Sequence, residues 1–179
     1  MSAWFAFLRG INLGKRQVRM AELRACLEQA GFAAVKTVVA SGNVRLEAEG
    51  SADAIKEKLE KTVEAQFGFK VGVVLRSEAE MTAMLDKHPF ASLDPEADVA
   101  RHVLLFDRNL PPGLTIADRP GHTEILRIDA RDIYIAGYRQ PNGRYTEGVE
   151  DMLKPLYARL GKDVLDTMRN WNTIEKMLA

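Results

Sequence analysis

The sequence predicts an α+β fold with antiparallel sheets, and three observations carry that reading. Short apolar runs alternate with segments of helical period. The junctions between them hold turn or capping residues. The elements of the first 76 residues follow the order strand, helix, strand, strand, helix, strand.

Each element can be justified in turn. Trp4-Phe5-Ala6-Phe7-Leu8 is a compact, aromatic apolar run, as a central strand requires. Residues 11 to 19 form a polar loop. Met20, Leu23, Leu27 and Ala30, with Cys26 beside them, give a helix with one buried face, stopped by Gly31. Val35 to Ala40 reads as a strand, Ser41-Gly42-Asn43 as a turn, and Val44 and Leu46 as the inward positions of a half-buried strand. Ser51 is placed to cap a second helix with Ile55, Leu59, Val63 and Phe67 on one stripe; Gly68 ends it, and Val71 to Leu75 is the next strand. This is the split βαβ, or ferredoxin-like, pattern.

The second half is less regular. Ser77 and Glu80 form a capping box for a short helix carrying Met81, Met84 and Leu85, with Pro89 beyond its end. Val99 to Phe106 is a strand and Pro111-Pro112-Gly113 a loop; Glu124 to Ile128 and Ile133 to Tyr138 form a hairpin. A helix carrying Val149, Met152, Leu153, Leu156, Tyr157 and Leu160 follows, kinked at Pro155 or beginning just before it. A last short helix spans about Thr173 to Leu178, with Asn172 and Glu175 as its capping box. Helix, strand, hairpin and helix complete a second α+β unit if it shares or borrows a strand. The expected organisation is two intertwined ferredoxin-like subdomains, 1–76 and 77–179, packed together without a flexible linker.

Composition narrows the classes. Apolar residues are 46% of the 179, enough for a sizeable core, and charged residues are 28% with a formal net charge of zero. That balance argues against a uniformly basic nucleic-acid binder. The one cysteine, Cys26, leaves no internal disulfide, and without a signal-like segment the expectation is a cytoplasmic protein. No apolar stretch approaches the ~18 residues of a membrane span. His88, His102 and His122 lack ligand spacing, so neither a metal nor a cofactor is expected.

LRGIN at Leu8–Asn12, SGNV at Ser41–Val44 and RNWNT at Arg169–Thr173 together resemble a bacterial family, domain of unknown function 1697. The resemblance implies two ferredoxin-like subdomains and no particular activity. Lys15 stands where the family usually has a second glycine after LRGIN.

Three segments could carry chemistry. The loop Arg9 to Arg19 holds Arg9, Lys15, Arg16 and Arg19 with no acid before Glu22. Its Gly10 and Gly14 permit close backbone approach, and it leads into a helix N-terminus, where an anion is favoured. It is not a P-loop: three residues separate the glycines, and Arg16 follows the lysine. The turn Ser41-Gly42-Asn43 should emerge at the same end of the sheet, about 10 Å away by strand spacing. Arg9, Asn12, Gly14, Lys15, Ser41 and Asn43 therefore make the first candidate ligand site. Arg169, Asn170 and Trp171 make a second cluster, which reads structurally as a cap and a core tryptophan and functionally as a segment with a ring for stacking. No residue is singled out as catalytic.

The leading function is binding of a small anionic, phosphate- or nucleotide-like ligand at the first loop. One alternative is single-stranded RNA binding through Trp4, Phe5 and Phe7 on the first strand. The other is a protein-interaction scaffold, including a homodimer paired through edge strands.

Overall fold

The computed structural model describes all residues, 1–179. The chain divides into two units, Met1–Asp86 with Thr173–Ala179, and Lys87–Asn172.

The first unit contains β1 (Ser2–Arg9), α1 (Met20–Gln29), β2 (Ala33–Val38), β3 (Asn43–Ala48), α2 (Ala52–Phe67), β4 (Gly72–Ser77) and α3 (Glu78–Asp86). Its sheet has the order β2-β3-β1-β4, every pair antiparallel, which is the ferredoxin-like arrangement. β1 is central because Phe5 to Leu8 are buried on both sides of the pleat. Ala6 and Leu8 pack with Leu23 and Leu27 of α1 and Ile55, Leu59 and Val63 of α2. The helix boundaries follow local chemistry. Ser51 Oγ accepts from the Ala54 N–H at 3.2 Å, and Gly68 closes α2 in the left-handed region, φ 80°. The capping box at α3 is reciprocal. The Ser77 N–H donates to Glu80 Oε2 (2.7 Å), and the Glu80 N–H donates to Ser77 Oγ (3.1 Å).

The second unit contains β5 (Val99–Phe106), β6 (Thr123–Ile128), β7 (Asp132–Tyr138), α4 (Val149–Leu160), β8 (Asp166–Asn170) and the start of α5 (Trp171–Leu178). Its sheet order, β6-β7-β5-β8, again all antiparallel, repeats that of the first. The helix that a split βαβ unit places after its first strand is missing. Residues 107–122 run there as a loop, and Leu110, Leu114 and Ile116 from it pack against Leu104, Phe106 and the Leu153–Leu156 face of α4. Both sheets therefore have ferredoxin-like strand order.

Two readings of the C-terminal third are corrected and a third is narrowed. The second sheet borrows no strand, because Asp166–Asn170 supplies its edge, pairing with β5 from His102↔Asn170 to Phe106↔Asp166. α4 runs through Pro155, at its seventh residue, with Val149, Leu153 and Leu156 buried. α5 starts at Trp171, which puts Asn172 inside the first turn. The capping acceptor is Asn170, whose Oδ1 takes the Asn172 N–H at 3.1 Å.

Candidate functional site

Arg9 is the last residue of β1 and is exposed, opposite Gly72 of β4. Beyond it the chain closes a tight loop on itself: the Asn12 N–H reaches the Arg16 carbonyl at 2.6 Å and the Arg16 N–H reaches that of Leu13 at 3.1 Å. Asn12 adopts φ 55° and Gly14 φ 57°, the left-handed conformations such a reversal needs.

Asn12 is the residue that fixes this loop in place. Its Nδ2 donates to the Ala40 carbonyl at 2.7 Å, and its Oδ1 accepts the Val18 N–H at 2.8 Å. One amide thus ties the β1–α1 loop to the β2–β3 turn and to Val18, two residues ahead of α1. A second tie is the Leu8 N–H to the Gly42 carbonyl, 2.9 Å. A Cβ on Gly42 would lie 2.6 Å from Ile11 Cδ1, at φ 84°, so this contact tolerates only glycine. The loop and the turn are in direct contact, closer than strand spacing alone suggested. The sequence reading gave Gly42 only a turn role and gave Ile11 none.

The polar groups of the turn are committed to the fold. Asn43 is fully buried, and its Nδ2 donates to Val38 O (2.9 Å) and to Ser41 Oγ (2.8 Å). Among the basic side chains, Arg16 lies over the Phe69 ring at 5.4 Å. Lys15 is exposed and has no ion pair or side-chain hydrogen bond, and the Gly14 and Lys15 N–H groups have no protein acceptor. α1 then opens with Arg19 at its N-cap, in extended conformation, with no side-chain cap and Glu22 as the one acid of its first turn.

The second cluster is divided by the pleat of β8. Trp171 is 8% exposed and sits 5.3 Å from Phe90 and 5.9 Å from Tyr134, ring centre to ring centre. It is a core anchor of the second unit. Arg169 is mostly buried and donates to Thr167 Oγ1 (2.6 Å); burial pushes its pKa down to about 10. Asn170, next along the strand, projects to the opposite face and is exposed. The three residues therefore do not converge on one surface.

Comparison with known proteins agrees with this architecture. Residues 1–134 match the model of the family described as protein of unknown function, DUF1697, and the chain belongs to that family. The structure is similar to that of the conserved bacterial protein SP0830 from Streptococcus pneumoniae, with a TM-score of 0.68, 22% identity, and coverage of 99% of this chain and 96% of that one. At that identity the likeness shows the fold. No curated protein matches.

Proposed function

We propose that this member of the family holds a small anion, of phosphate or carboxylate chemistry, at the loop between β1 and α1. The observation that carries the reading is an electrostatic conflict at the start of α1. A helix N-terminus presents unpaired N–H groups and the positive end of its dipole, and it is normally relieved by an acceptor side chain. Here the N-cap is Arg19, no side chain caps it, and exposed Lys15 stands in the loop that leads in. Apart from Glu22 in the first turn, the charges at this terminus are positive, and an anion would meet both them and the uncapped N–H groups. Asn12 and Gly42 give the loop a fixed shape, so a ligand would meet it with little ordering cost. The RNA alternative draws no support from β1, since Phe5 and Phe7 are both 0% exposed.

The test is thermal unfolding with inorganic phosphate, sulfate and ATP, beside the Lys15→Ala and Arg19→Ala variants. A ligand at a hundred times its Kd stabilises by about 2.7 kcal/mol, a shift of several degrees. The expected result is a rise in the wild type that shrinks in both variants, whose own unfolding midpoints stay close to the wild type. No rise with any anion, or a rise unchanged in the variants, would remove this loop as the site.

A further inference from the structure

We infer that the second unit carries a ligand cleft of its own, independent of the β1–α1 loop, that accepts a small zwitterion of the amino-acid type. The cleft has a volume of about 630 Å³ and lies on the α4 side of the sheet. A volume between about 300 and 1,000 Å³ is usual for a small-molecule site. Its floor comes from two strands. His102 of β5 and Asn170 of β8 are direct cross-strand partners, so their side chains stand side by side on one face. Its wall is the segment Arg144–Glu147.

The sequence makes room for that wall at one residue. Gly137 of β7 pairs with Ala100 of β5, and a Cβ on Gly137 would lie 2.3 Å from the Tyr145 carbonyl oxygen. The backbone of the segment therefore rests directly on the sheet, and the small Ala100 beside it keeps the floor open. Tyr145 is pinned by its hydroxyl, which donates to Asp98 Oδ1 at 2.6 Å. The Asn142 side chain donates to one Glu147 oxygen at 2.5 Å, and the Asn142 Oδ1 accepts the Arg144 N–H at 3.0 Å. This is a built wall rather than a stray loop.

Four polar groups of the cleft make no hydrogen bond or ion pair within the protein, one the buried His102 Nδ1 and three on exposed side chains, and they fall into two pairs of opposite character. His102 Nδ1 is buried without a hydrogen bond. Burial lowers the imidazole pKa, opposed by a hydrogen bond to the Arg169 backbone, so the ring is a neutral acceptor near pH 7. The second Glu147 oxygen is likewise an open acceptor. On the donor side, the Arg144 guanidinium has no ion pair or side-chain hydrogen bond. Asn170 uses its Oδ1 for the helix cap and leaves its amide N–H₂ unused. A carboxylate suits the guanidinium and the amide, and an ammonium suits the carboxylate and the imidazole nitrogen. A zwitterion satisfies all four without adding net charge. An inorganic anion would leave the buried His102 Nδ1 unmet, and a buried acceptor without a donor is costly.

The experiment uses the full chain labelled with ¹⁵N at its histidines, of which there are three. L-serine is titrated to about 100 mM, past the millimolar Kd that so small a ligand would reach. Acetate and ethanolamine, each carrying half of the zwitterion, are the comparison. The expected result is a saturable change at the His102 nitrogens with L-serine, and binding about tenfold weaker or worse for either half-molecule and for the exposed Arg144→Gln variant. Three results would overturn the assignment: no saturable change at His102, equal binding of acetate and L-serine, or full binding by Arg144→Gln. Phosphate binding at the β1–α1 loop, present or absent, does not bear on any of them.

Discussion

The two sheets share one strand order and cover it differently. In the first, α1 and α2 lie over the β1–β3 face, and the cluster beneath them joins Leu23, Leu27, Leu59 and Val63, each no more than 1% exposed. In the second, α4 stands alone, and a loop bearing Leu110, Leu114 and Ile116 takes the place of the other helix. Leu110 is buried, but Leu114 and Ile116 are only partly so. The strand order is therefore not dictated by a helix in both crossovers. Antiparallel pairing and one well-packed helix suffice, and the second crossover is needed only as apolar cover.

The sharpest way to break that comparison is to truncate the cover on each side. Leu27→Ala in α1 removes a fully buried side chain and should cost about 2–5 kcal/mol. Leu114→Ala removes a half-buried loop residue and should cost about 1 kcal/mol or less. Urea titration of both variants measures the difference. Equal losses would mean that the loop is packed as tightly as a helix.

A smaller effect sharpens the contrast between the two crossovers as candidate sites. Asn12→Ala loses two hydrogen bonds across the base of the β1–α1 loop and places alanine at φ 55°. The expected cost is about 1–3 kcal/mol. Asn12→Gly relieves the backbone strain and retains only the hydrogen-bond loss, so it should fall below the alanine variant. If alanine and glycine cost the same, the conformation of Asn12 carries no strain and its amide alone holds the loop.

How much of this was legible in the sequence varies along the chain. The first unit reads almost completely, because its strands are apolar where buried and its helices are capped by Ser51, Gly68 and the Ser77–Glu80 pair. β8 was illegible. Its two buried residues are Asp166 and Thr167, held by polar contacts such as the Tyr157 hydroxyl on Asp166, so no hydrophobic alternation marks it. Without β8, the sequence places the cap of α5 at Asn172, two residues past the Asn170 that serves. The nearness of the first loop to the Ser41 turn was legible from topology, but the Asn12 clamp was not, since an asparagine in a polar loop carries no distinctive pattern. The cleft of the second unit was equally hidden, because His102 and Asn170 are far apart in sequence and meet only through the β5–β8 pairing, while Arg144 comes in with the segment that rests on Gly137.

The mildest expected effect separates the units by pH. His102 belongs to the second unit, so its protonation acts there and not in the first. His102 has a native pKa below its unfolded value of about 6.5, chiefly from burial. Between the two values the unfolded chain binds more protons than the native one, and stability then rises with pH. The contribution of His102 is thus complete above about pH 6.5 and is lost as pH falls through the lower native value. His102→Gln keeps a polar side chain and has no proton to gain. Urea denaturation at several pH values between about 7.5 and 5 should show the wild type losing more stability than this variant as the solution is acidified. Parallel curves would mean that the His102 imidazole takes up its proton as readily in the native cleft as in the unfolded chain, and that its buried nitrogen finds a partner when charged.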